Sequence, residues 1–209
     1  MATHKHTNST SYEHIILGFY AAASVAVNQY VNNRAGVPLA TVLWYCDVAM
    51  MLVALGFFLR SARLMTVVLA TAVPAQFLWI IDFVLTLGGG GFGRTEAIGT
   101  WGPGMLLSSL HLHVVLIPLA AYGVYRYGLV ARALPGIWIA IVTLLGLTAI
   151  LAPPQYNINC VAFDCDAADP GSGYGQHFIG MVLSWIVSMS VWFMVLRYSA
   201  RKWGIFRVV

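Results

Sequence analysis

The sequence predicts an all-α polytopic membrane protein, a bundle of six transmembrane helices that forms one domain over residues 1–209. Three observations lead to this fold class. Hydrophobic residue types make up 60% of the 209 residues, charged types make up only 9%, and six apolar stretches approach the length of a membrane span. A soluble domain carries about 25% charged residues. The composition therefore excludes a soluble enzyme, a secreted disulfide scaffold and a disordered chain.

Each predicted span is an apolar stretch close to the roughly 20 residues that a helix needs to cross the hydrocarbon. A helix is expected because backbone polar groups inside a bilayer must bond within their own segment. The first stretch is rich in alanine and ends in polar residues, so an interfacial helix there, leaving five spans, is the alternative. The six stretches, in chain order, are Ile15–Val31, Thr41–Leu59, Leu64–Leu87, Met105–Tyr125, Leu134–Ala152 and His177–Tyr198.

The basic residues predict the orientation. If six spans alternate sides, nine of the eleven Lys and Arg residues fall on one side of the membrane, and only Arg34 and Arg94 fall on the other. Basic residues accumulate in cytoplasmic loops, so we expect both termini to be cytoplasmic in a multi-pass protein of a bacterial inner membrane. The net charge of +4 is scattered rather than clustered, so nucleic acid is not an expected partner. The polar first 14 residues do not resemble a cleavable signal peptide.

The three cysteines fall in two places. Cys160 and Cys165 lie in the outward loop predicted between the last two spans, where an oxidising environment favours a disulfide. Two free thiols fit the sequence equally well, because spacing alone does not establish the geometry of a bridge. Cys46 lies in the second predicted span and has no neighbouring cysteine.

Ionisable residues inside the predicted spans are few and gather at one level. At 1.5 Å per helical residue, Asp47 lies about 9 Å and Asp82 about 7 to 8 Å from the outward end of its span. His111 and His113 lie about 9 and 12 Å deep, and His177 begins the last span at the same side. Ionisable groups in a bilayer are costly, so this set predicts a functional site in the outer third of the membrane. The alternative is that each residue simply makes an interhelical hydrogen bond.

The chemistry that this set predicts is general base catalysis on a lipid ester. A histidine oriented by a carboxylate can activate a hydroxyl, a thiol or water for attack on an ester carbonyl. We expect His113 to be the base and Asp47 its orienting partner, since His111, two residues away, points about 200° to the other side of the helix. Nucleophile candidates are Thr41, Cys46, Ser108 and Ser109. Asp82 is a further catalytic candidate that would shape the mouth of the pocket with Asn159 and His177, and His111 is another candidate for the pocket.

A metal or a cofactor is not indicated. A zinc site from Asp47, His113 and His177 can be constructed, but these ligands lack a recognisable spacing, and we predict no metal. The glycines at 88–91 do not form a phosphate-binding loop, because no strand precedes them and no Lys-Ser or Lys-Thr pair follows. The sequence identifies no cofactor.

Four segments resemble a family of uncharacterised small bacterial integral membrane proteins: WYCDVAMM (44–51), PAQFLWIIDF (74–83), SSLHLHVVLIPL (108–119) and PQYNINCVAF (154–163). A more distant resemblance is to the androgen-dependent TFPI-regulating proteins, which are six-span membrane hydrolases. Those proteins cleave fatty-acid esters of hydroxy fatty acids with a threonine and a histidine. Asp47, His113 and Pro118 match their pattern, whereas Trp44 stands at the position of the catalytic threonine and Thr41 lies one turn further out.

Two functions follow as alternatives. The first is a membrane-embedded hydrolase or transferase that takes a lipid ester from the outer leaflet. The second is a non-enzymatic accessory or cofactor-binding subunit of a larger membrane complex. The expected partners are accordingly the lipid bilayer and either a lipid ester substrate or other membrane proteins.

Overall fold

Six helices make up most of the protein in a computed structural model that describes residues 12–91, 100–153, 157–160 and 174–209. Short 3₁₀ turns cover Leu39–Leu43 and Ile158–Cys160. The prediction of an all-α fold is confirmed, since the described residues contain one isolated β-bridge and no strand. The helices are α1 (Glu13–Arg34), α2 (Tyr45–Phe58), α3 (Ala62–Leu87), α4 (Pro103–Tyr127), α5 (Leu134–Leu151) and α6 (Tyr174–Trp203).

Four of these helices are long and apolar enough to cross a membrane: α3, α4, α5 and α6 from Gln176 onward. α2 is apolar but has 14 residues, or about 21 Å of helix, which is less than the roughly 30 Å of hydrocarbon. α1 has 22 residues, but four amide side chains in its second half lower its hydropathy. The membrane-helix character of the sequence is therefore confirmed for four helices.

Local signals that hydropathy does not detect set several helix ends. α3 begins earlier than predicted because the Ser61 hydroxyl accepts a hydrogen bond from the Leu64 N–H at 3.3 Å and caps the first turn. α4 begins at Pro103, a residue that suits the first turn because it has no N–H to satisfy. Two further prolines, Pro74 in α3 and Pro118 in α4, lie inside helices and each leave one carbonyl without its helical donor.

The helices pack around two apolar cores that share α3. The larger core lies between α1, α2, α3 and α4, and glycines permit close approach there. A Cβ on Gly18 would lie 2.6 Å from the ring of Phe58, and one on Gly123 would lie 2.5 Å from Sδ of Met65. The smaller core joins α5 and α6 to the opposite face of α3, around Ile137 and Phe193.

The residues after α6 return to the connection between α4 and α5. The Leu129 N–H donates to the Arg207 carbonyl at 2.7 Å, and the Val209 N–H donates to the Leu129 carbonyl at 2.8 Å. Gly128 turns the chain into this pairing with φ 101° and ψ 158°, a region of backbone conformation that is essentially limited to glycine. A Cβ on Gly128 would also lie 2.9 Å from Cγ1 of Val209.

Gly128→Ala should therefore destabilise the protein by about 1 to 3 kcal/mol, because alanine is strained in this conformation. The measurement is thermal unfolding of detergent-purified protein followed by circular dichroism. Gly146→Ala in α5 is the matched control, since its added Cβ would meet no atom within 4 Å. Equal thermal unfolding midpoints for the two variants would show that Gly128 is not needed for the pairing of Leu129 with the residues after α6.

Candidate functional site

The predicted site residues lie toward the end of the bundle where α1 and α3 end and α2 and α4 begin. We call this the Asp47 end and the opposite one the Glu13 end. One face of α1 presents Tyr20, Ser24 and Asn28 at four-residue intervals, so that they stack one turn apart along the helix. The polar residues of α2 and α4 bond to this face. Tyr20 and Ser24 were not predicted as part of the site, although the regular spacing of polar residues in an alanine-rich helix is a visible signal.

Asp47 connects α2 to α1. Its side chain is only 1% exposed. Oδ1 accepts a hydrogen bond from Nδ2 of Asn28 at 3.1 Å, and Oδ2 accepts one from the Cys46 thiol at 3.5 Å. Oδ1 of Asn28 is buried and makes no hydrogen bond to any part of the chain that the structure describes. The carboxylate is therefore held in place by short-range partners on two helices.

His111 connects α4 to the same face of α1. Its Nε2 lies 3.2 Å from the hydroxyls of both Tyr20 and Ser24. The Tyr20 ring meets the imidazole edge to face, with centroids 5.8 Å apart. Because Ser24 and Asn28 are one turn apart, His111 contacts α1 about 6 Å along the axis from the point where Asp47 does.

His113 faces the other way, toward α3, as its spacing of two residues from His111 predicts. The side chain is 7% exposed, and its ring lies flat against Trp79 with centroids 3.7 Å apart and an interplanar angle of 1°. Its Nδ1–H donates to the Oε1 carbonyl oxygen of Gln76. This hydrogen bond leaves the lone pair on Nε2, which makes no hydrogen bond within the described residues.

Asp47, the orienting partner expected for His113, does not occupy that position. Among the described residues, His113 donates its hydrogen bond to Gln76, while Asp47 accepts hydrogen bonds from Asn28 and Cys46. The physical reason is the rotation of the two helices, because His113 faces α3 and Asp47 faces α1. Asp82, also on α3, is fully buried and has its carboxylate beside the turn at Gly91.

The nucleophile candidates differ in what their side chains bind. The Thr41 hydroxyl is buried and donates to the Pro38 carbonyl at 2.8 Å, and the Ser108 hydroxyl donates to the Met105 carbonyl at 3.1 Å. Cys46 is a partly exposed free thiol that donates to Asp47. A hydroxyl must break its main-chain hydrogen bond before it can present its proton to a base.

Asn159 and His177 anchor the segment that precedes α6. The Oδ1 atom of Asn159 accepts the Tyr45 N–H at 2.9 Å, and its Nδ2 donates to the Leu43 carbonyl at 2.8 Å and to the Thr148 hydroxyl at 3.1 Å. Asn159 thus caps the first turn of α2 while holding α5 beside it. His177 donates from Nε2 to the Cys160 carbonyl at 2.9 Å.

Cys160 is disulfide-bonded, and Cys165, its predicted partner, lies outside the described residues. Within the described ranges, no three His, Cys, Asp or Glu side chains come together in a way that could hold a metal ion. The zinc interpretation from Asp47, His113 and His177 gains no support from this arrangement.

Comparison of the sequence with protein-family models, with curated proteins and with solved structures finds no match. The resemblances drawn from its segments therefore stay predictions. Function has to be argued from the site itself.

Asn159 should be needed for the position of α2. Asn159→Ala removes an acceptor from the Tyr45 N–H and a donor from the Leu43 carbonyl, and leaving these partly buried main-chain groups unpaired costs up to about 3 kcal/mol each. We expect a lower thermal midpoint in detergent.

Asn159→Gly is the matched control for backbone strain, because Asn159 has a φ of 55° that glycine adopts freely. We expect the glycine variant to be destabilised as well, but less than the alanine variant. Wild-type stability of the glycine variant would contradict a role for the side-chain hydrogen bonds.

Proposed function

We propose that this chain is an integral membrane protein with six spans and cytoplasmic termini, located in a bacterial inner membrane. Four of these spans are the four long apolar helices, and α1 and α2 are the other two in this proposal. α2 gains length from the preceding 3₁₀ turn Leu39–Leu43. Its 14 residues and the five of the turn together extend about 31 Å if they run in line.

Contacts at the Glu13 end support the crossing of α1 and α2. His14, at the start of α1, bonds to Arg60 in the turn between α2 and α3, and Glu13 pairs with Arg126 at the end of α4. Such contacts cannot form across a bilayer, so an even number of crossings separates the members of each pair. α1 and α2 therefore cross together or not at all, and the packing of α2 along the membrane-length α3 favours crossing.

Reporter fusions test this arrangement. Alkaline phosphatase, which is active only after export, should be active when fused after Gly36 or Gly90, and green fluorescent protein should fluoresce when fused after Ser61 or Val209. The two reporters should alternate in this way because α1 and α2 lie between His14 and Arg60, which contact each other on one side of the membrane. Fluorescence from a fusion after Gly36 would contradict the proposal and favour an interfacial α1.

We further propose that the protein hydrolyses or transfers the acyl group of a lipid ester with His113 as general base. The observation that carries this proposal is the fixed imidazole: a buried ring, one nitrogen bonded to Gln76 and one face covered by Trp79. A base held in one tautomer and one orientation loses little freedom when it accepts a proton.

The mechanism assigns one task to each group. Nε2 of His113 takes the proton of a thiol, a hydroxyl or water as that group attacks the ester carbonyl, and then returns a proton to the departing alcohol oxygen. Trp79 stabilises the transient imidazolium by a cation–π interaction with the face of its indole. In this respect it takes the role that a negatively charged carboxylate has beside other catalytic histidines. Water as acceptor gives hydrolysis, and a second lipid alcohol gives transfer.

His113→Ala should lower turnover of a responsive lipid ester by about 10²- to 10⁴-fold, the usual contribution of a general base. The measurement is product release by purified protein over a panel of lipid esters, combined with labelling by fluorophosphonate and by thiol-directed lipid probes. These two probes separate an oxygen nucleophile from the thiol of Cys46.

His111→Ala is the matched control, because it changes the same residue type on the same helix but faces α1. We expect it to keep most of the turnover. Absence of turnover and of His113-dependent labelling would contradict the enzymatic proposal.

A second candidate function is favoured by the interhelical hydrogen bonds themselves. Asn28 to Asp47 and Ser24 to His111 are bonds of the kind that hold membrane helices together. A protein whose polar residues act only in this way would be an accessory subunit, and it would co-purify with partner proteins in mild detergent while showing no turnover.

A further inference from the structure

An open groove lies between α1 and α4, toward the Glu13 end of the bundle and away from the Asp47 end. Its volume is about 530 Å³, within the range of about 300 to 1,000 Å³ that small-molecule sites occupy. α1 contributes Ile16 and Leu17, and α4 contributes Val115, Pro118 and Leu119. The floor is thus apolar, with two adjacent residues of α1 facing about one turn of α4, which suits a hydrocarbon chain.

The mouth of the groove is polar. Tyr12, Glu13 and Tyr122 complete the lining, and the Tyr122 hydroxyl donates to the Glu13 carboxylate. Arg126 lies 3.6 Å from the same carboxylate, and both side chains are about one-third exposed.

Arg60 adds a second guanidinium close by. It donates to the ring of His14 at 3.0 Å, and His14 directly follows Glu13, the residue that pairs with Arg126. Two arginines and one glutamate give the mouth a net positive charge.

We propose that the groove and its arginines bind one anionic phospholipid from the leaflet at the Glu13 end. The acyl chain would occupy the apolar floor, and the phosphate would lie between Arg60 and Arg126, whose planar donors match phosphate oxygens. The charge at the mouth selects an anionic headgroup over a zwitterionic one, because each nearby arginine attracts an anionic lipid surface. The site is separate from His113, so the inference does not rest on the enzymatic proposal.

Native mass spectrometry of the purified full chain with dioleoyl phosphatidylglycerol or dioleoyl phosphatidylcholine tests this site. We expect one phosphatidylglycerol to be retained in preference to phosphatidylcholine. Arg60→Gln should weaken retention of phosphatidylglycerol about fivefold, and the double variant Arg60→Gln/Arg126→Gln should weaken it further. The single variant leaves the pair of Glu13 and Arg126 intact, so its effect does not depend on disturbing that pair.

The double variant Arg201→Gln/Lys202→Gln is the matched control for charge. It removes two cations from the same end of the bundle, where Lys202 lies over the rings of Tyr198 and Trp203 rather than at the groove. We expect it to retain phosphatidylglycerol like the unmodified protein, and we expect Ile16→Trp, which fills the groove, to lose it. Three results would each overturn the proposal. They are equal retention of phosphatidylglycerol and phosphatidylcholine, an equal loss of phosphatidylglycerol retention in the two double variants, and unchanged retention of phosphatidylglycerol by Ile16→Trp.

Discussion

Polar side chains within hydrocarbon have no water to bind, so their partners must come from neighbouring helices. Hydrogen bonds between buried or partly buried polar side chains link the first four helices. Asp47 bonds α2 to α1, His111 bonds α4 to α1, and His113 bonds α4 to α3. The helices are thereby linked in the order α2, α1, α4, α3, and each bond also fixes how its helices are rotated about their axes.

Hydropathy predicted where most helices lie, because burying apolar residues in lipid requires long uninterrupted stretches. The predicted span Leu134–Ala152 and the observed α5, Leu134–Leu151, differ by one residue. The difference is larger for the second span, Thr41–Leu59. There the chain forms a 3₁₀ turn and starts α2 only at Tyr45, where Asn159 supplies the cap from a distant part of the sequence. A helix cap supplied by a remote segment cannot be predicted from the sequence around the start of the helix.

The sequence singled out several of the buried polar residues but not their hydrogen-bond partners. Ionisable residues are rare within the predicted spans, and this rarity singled out Asp47, His111 and His113. Helix periodicity predicted that the two histidines face different neighbouring helices. Which neighbour each one meets depends on the order of helices around the bundle, and short connections do not specify that order. Gln76 and Trp79 were therefore not assigned to His113, although they lie three residues apart on α3 and share a face.

The pairing of the segment after α6 with Leu129 and its neighbours bears on the order of assembly. Both α5 and α6 lie between the two paired segments, so the main-chain hydrogen bonds close a long loop and cannot form before both helices are inserted. A chain in which one of these helices failed to insert would leave the two segments on opposite sides of the bilayer. The β-bridge between Leu129 and Val208 can therefore form only after α5 and α6 have both been inserted, and its formation marks the end of their insertion.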